Sequence, residues 1–125
     1  MWIAWGGAAA QTGDSSTAQF NRGILLYQRY CSNCHGDQAH GDGRIAHLLK
    51  TEPADLTQLI GEDGRFPADE VRKTIDGRAG ILAHGSREMP IWGQVFLEGD
   101  GPEAEAEVEA KIDDLIGYLE AIQEE

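Results

Sequence analysis

The feature that most constrains this chain is "CSNCH", residues 31–35. Cys31 and Cys34 are the only two cysteines among 125 residues, and His35 follows directly. Positions i, i+3 and i+4 of a helical turn share one face. Two thiols and an imidazole can therefore point at a single flat object. Aromatic residues make up only 7% of the chain, so a bound object can take the place that large side chains fill in other cores.

Four readings compete for this motif. A structural zinc site wants four ligands, typically from a second Cys or His pair. No further cysteine exists, and His40, His47 and His84 do not have the spacing of a zinc finger. A thioredoxin-like redox pair needs a βαβ context, for which no strand pattern exists. A plain disulfide leaves His35 without a role. Attachment of a c-type haem uses all three residues: the cysteines add to the vinyl groups as thioethers and His35 binds the iron. A covalent haem also gives a small domain a large apolar core element.

An iron used only for electron transfer needs a second protein ligand. Of the two methionines, Met1 lies in a terminal segment and Met89 in the loop "HGSREMPIWG". Met89 is the favoured sixth ligand, with Pro90 stiffening the loop behind it and a thioether raising the reduction potential. The rival is His84 in the same loop; the bland alternative is that Met89 only fills the core. His40 and His47 read as solvated residues.

Hydrophobic residues make up 41% of the sequence, as in an ordinary globular domain. Asp and Glu total 22 against 10 Lys and Arg, a net charge of −12. That disfavours a nucleic-acid backbone or an anionic membrane surface and favours a basic protein patch or a salty environment, the bland alternative being solubility alone. No apolar run reaches the roughly eighteen residues of a membrane span. Residues 1–15 read as a flexible N-terminal segment, a signal remnant or an added leader, and residues 16–125 as the folded domain.

Within that domain Ser16 opens a helix, with Gln19 completing a capping box, and Phe20, Gly23, Ile24 and Tyr27 form one face. "IAHLLK" is a short helix-like piece, "TEPADLT" a turn, and "FPADEVRKTIDG" a helix begun at Pro67 and stopped at Gly77. The glycine-rich stretch 77–101 reads as a long loop with little regular structure. Pro102 starts the last helix, with Val108, Ile112, Leu115, Leu119 and Ile122 on its apolar face. The expected fold is all-α, with three to five helices.

Over residues 16–122 the chain resembles the class I cytochromes c. "CSNCHG" matches the attachment motif and "MPIWG" the distal-methionine loop of soluble bacterial members. Gly23 and Tyr27 match the family's first-helix pair, and Leu115 and Tyr118 the last-helix pair. The resemblance implies a cytochrome c fold around one covalently bound haem c, with the N- and C-terminal helices crossing. A glycine at the crossing lets the helices approach, and the rings lock it. The family's haem histidine donates to a backbone carbonyl after the "GDG", where a proline commonly follows. Here Arg44 follows instead, and Arg44 or Ile45 is the provisional choice for that carbonyl. Pro53 and Leu56 are expected against the haem. Trp92, Arg78, Arg87 and Arg72 are candidate partners of the haem propionates.

The implied function is one-electron transfer between redox proteins by a soluble periplasmic carrier, since bacterial haem attachment takes place outside the cytoplasmic membrane. The alternative is a cytochrome subunit, or dedicated acceptor, of a larger dehydrogenase or oxidase complex such as a sulfite dehydrogenase. A haem enzyme or gas sensor would need an open iron site, which Met89 argues against. The chain is expected as a monomer or in transient complexes.

Overall fold

The computed structural model describes residues 12–80 and 87–124. Among them the regular structure is helical, with no strand. The elements are α1 (Thr12–Tyr30), α2 (Ser32–His35), a 3-10 turn (Ala46–Leu48), α3 (Ala68–Asp76), α4 (Trp92–Val95) and α5 (Pro102–Ala121).

The frame is the crossing of α1 with α5. A Cβ on Gly23 would lie 2.7 Å from the Tyr118 Cβ and would also collide with the Asp114 carbonyl. Only glycine lets the two backbones meet at this distance. Tyr118 then stands between two rings of α1, 5.6 Å from Phe20 and 5.2 Å from Tyr27, centroid to centroid. Tyr27 and Leu115 are buried in the common core. Beside the crossing, Arg22 donates twice to the Asp114 carboxylate, at 3.0 and 3.3 Å. A carboxylate buried this deeply needs such a partner.

Four local expectations are corrected. α1 begins at Thr12, a turn before Ser16. No proline interrupts residues 12–16, and extending an existing helix costs far less than starting one. Gln19 reaches across to the Asp113 carbonyl at 3.5 Å instead of folding back as a cap. Pro67 is the residue before α3 rather than its first. The stretch 77–101 contains α4, where Trp92 and Phe96 stack at 5.6 Å, one turn apart. Gly77 ends α3 in the left-handed conformation (φ 72°), as its position suggested.

The chain after His35 is wound tightly on itself. The Gly41 N–H donates to the His35 carbonyl at 2.7 Å, Gly43 to Cys34 at 3.0 Å and Ile45 to Asn33 at 3.0 Å. At the other end, Gln123 donates to the Leu56 carbonyl and accepts from the Leu59 N–H, each at 2.7 Å. The residues after α5 thus hold down the segment that runs from Pro53.

Candidate functional site

Cys31 follows α1 directly, its N–H donating to the Tyr27 carbonyl at 2.8 Å, and Cys34 and His35 lie on α2, so the motif is carried on helical backbone as its spacing requires. All three open onto a cavity of about 660 Å³. Its other walls come from distant parts of the chain: Pro53, Ala54 and Leu56, then Val71 and Ile75 of α3, Met89 and Trp92, and Leu115 and Leu119 of α5. Its walls are mostly aliphatic and aromatic side chains, and a space of this size so lined suits a flat apolar group.

The His35 ring is oriented by a bond from Nδ1 to the Ala54 carbonyl at 3.0 Å. Neither Arg44 nor Ile45 supplies that acceptor. The Ile45 backbone is used in wrapping the loop, while Pro53 stiffens the step that presents Ala54. Donation from Nδ1 leaves Nε2 with its lone pair free to bind a metal. Burial holds the His35 pKa below its ordinary value, and the Ala54 bond opposes the shift. Burial also pushes the Cys31 thiol up to about 12, helped by the nearby Cys34. A thiol so reluctant to ionise is a poor redox nucleophile, and no disulfide joins it to Cys34. Among the described residues no three His, Cys, Asp or Glu side chains are grouped to hold a metal ion.

Met89 lines the same cavity and packs against the core. Trp92 forms part of the wall, 8% exposed, with Tyr30 edge-on at 5.3 Å. Pro53 and Leu56 are there too. Arg78 is not. Its guanidinium is held by Asp76 at 2.8 and 2.9 Å and by Glu105 at 3.0 Å, outside the cavity. Arg72 is likewise taken by Asp113. Of the candidate arginines only Arg87 reaches the cavity wall. His40 lies near Asp55 and Glu124, at 3.5 and 3.7 Å, and His47 is exposed on the 3-10 turn. His84 falls outside the described residues.

Two participants carried no sequence signal. Ala54 acts through a carbonyl that every residue has. Glu88 accepts the Lys50 and Thr51 N–H groups at 2.8 and 3.0 Å, a contact across 37 residues or more.

A family model described as "Cytochrome C oxidase, cbb3-type, subunit III" matches residues 18–119. The match covers more than half of the chain and includes both cysteines, His35 and Met89. The chain belongs to this family of c-type cytochromes. No curated protein and no solved structure matches it. Among its described residues the regular structure of the cytochrome is helical, and its family marks it as an electron carrier that uses haem. That points away from an enzyme, and the cavity fits the group: two thiols, an oriented imidazole and a thioether face one apolar space. No helix among the described residues is long and apolar enough to cross a membrane.

Proposed function

We propose that this cytochrome carries one haem c, which Cys31 and Cys34 would hold through thioethers and whose iron His35 Nε2 and Met89 Sδ would bind. When bound, the haem supplies a one-electron Fe(III)/Fe(II) couple. Cys31 and Cys34 fix its position, and His35 holds its proton at Nδ1 against Ala54 so that Nε2 stays free. Pro53, Leu56 and Trp92 exclude water and keep the surroundings apolar, which favours the less charged, reduced state. Met89, on the same cavity, would supply the second protein ligand and keep other molecules from the iron. Electrons enter from a reduced protein donor and leave to an oxidised acceptor. The observation that carries this reading is the cavity shared by Cys31, Cys34, His35 and Met89.

In this reading the protein works in the periplasm, as a monomer or in transient complexes. Its −12 charge steers it to a partner with a basic patch, and affinity falls as salt is added. A second reading, as a subunit of a larger oxidase or dehydrogenase complex, is favoured by the family's description as an oxidase subunit. Co-purification with a larger subunit distinguishes it.

The test is an optical spectrum of the purified protein, oxidised and then reduced, with carbon monoxide added last. A c-type spectrum that survives denaturation supports thioether attachment. The weak long-wavelength ferric band of methionine ligation, with no response to carbon monoxide, supports Met89. Ready carbon monoxide binding without that band would bring an enzyme or sensor forward.

A further inference from the structure

A methionine side chain has three rotatable bonds, so its sulfur stays in place only if its backbone does. Among the described residues, no backbone-to-backbone hydrogen bond ties residues 87–90 to the rest of the chain. Two charged side chains do that instead, one on each of the two residues before Met89.

Arg87 donates to four carbonyls. Nε reaches Met89 at 2.9 Å and Nη2 reaches Pro90 at 2.7 Å; Nη2 also reaches Ile75 at 3.3 Å and Nη1 reaches Thr74 at 2.5 Å. The last two are carbonyls from the final turn of α3, which have no partner within the helix and lie at its negative end. Gly77 makes the room: a Cβ there would stand 2.7 Å from the Arg87 Cζ. Glu88 ties the loop elsewhere, to the Lys50 and Thr51 N–H groups. That segment continues to Pro53 and to Ala54, whose carbonyl orients His35.

We propose that Arg87 and Glu88 are positioning residues for Met89. Arg87 fastens the Met89–Pro90 backbone to the end of α3. Glu88 fastens the same loop to the backbone that leads to the carbonyl serving His35, so the supports of the two ligands are joined through one carboxylate. This rests on the reading of Met89 as an axial ligand.

The experiment uses the full-length, haem-loaded protein and compares wild type with Met89→Ala, Arg87→Gln, Arg87→Lys and Glu88→Ala. Three quantities are read: the long-wavelength ferric band, the affinity of the ferric protein for imidazole, and far-UV helicity. Arg87→Gln and Glu88→Ala should each weaken the band and raise imidazole affinity about tenfold, with helicity unchanged. Arg87→Lys should fall between wild type and Arg87→Gln, because an ammonium keeps the charge but cannot fork across four carbonyls. Wild-type imidazole affinity in both Arg87→Gln and Glu88→Ala, with the band present in wild type, overturns the positioning role and leaves Met89 as ligand. A wild type that lacks the band and matches Met89→Ala overturns the ligand reading and this proposal with it. Should Arg87→Gln fail to fold, Arg87→Lys and Glu88→Ala decide by the same criterion.

Discussion

The His35 side and the Met89 side of the cavity are built by different means. His35 lies on a helix, inside a loop closed by bonds between backbone groups, and its ring rests on a backbone carbonyl. The Met89 loop is held through the side chains of Arg87 and Glu88. Backbone groups are common to every residue, so the first side tolerates substitution of most of its side chains. The second depends on the identity of two. The lesson concerns rigidity: a side chain can be held by the path of the chain or by a few charged anchors, and the two are vulnerable at different residues, the first at glycines such as Gly43, where a Cβ would collide with the Asn33 carbonyl, and the second at Arg87 and Glu88.

The largest test of this contrast strikes the frame on which both sides stand. Gly23→Val should destabilise the protein by about 3 kcal/mol, because the crossing has no space for a side chain. Denaturant unfolding followed by haem absorbance and by helicity should shift together. A selective loss on the Met89 side alone would mean the two sides do not share that frame.

Tyr27→Phe acts on the His35 side. The Tyr27 hydroxyl donates to the Gly36 carbonyl at 2.6 Å in the buried core, and its loss should cost about 1–2 kcal/mol. Imidazole affinity should stay near wild type, since nothing at Met89 changes. A rise of the size expected for Glu88→Ala would erase the distinction between the two sides. Pro53→Ala should cost less, about 0.5–1 kcal/mol, mainly by freeing the unfolded chain. An altered ferrous spectrum would show that the proline also fixes the Ala54 carbonyl.

The smallest effect concerns acid. Asp76 is held below the usual carboxylate range by its bonds to Arg78, against the opposing effect of burial. A carboxylate whose pKa is lowered on folding adds stability above its unfolded value and loses it as pH falls through the folded one. Asp76→Asn should therefore reduce stability at pH 7 and flatten its decline below about pH 4. Unfolding midpoints of both proteins at pH 7 and pH 3 give the comparison. A pair this near the end of α3 also supports α4, since a Cβ on Gly93 would sit 2.8 Å from the Asp76 Cγ. Equal midpoint differences at both pH values would show that packing, not charge, is what Asp76 contributes.

The sequence by itself determined the helical frame and the grouping of Cys31, Cys34 and His35. Both are local or periodic: Cys31, Cys34 and His35 fall on one turn, and Val108, Ile112, Leu115 and Leu119 recur at helical spacing. Gly23 and Tyr118 were legible through the resemblance to the class I cytochromes c, whose crossing helices place a glycine where the backbones meet. The start of α1 was less legible, since Thr12, Asp14, Ser15 and Ser16 all read as helix-starting residues. Only the tertiary structure decided which carbonyl serves His35 and which arginine reaches the cavity. Arg72, Arg78 and Arg87 are chemically alike. Asp113, Asp76 and Glu105 claim the first two, while the end of α3 and the gap at Gly77 receive the third. A charged side chain goes where folding leaves an unmatched partner within reach, and that place is set by residues far away along the chain.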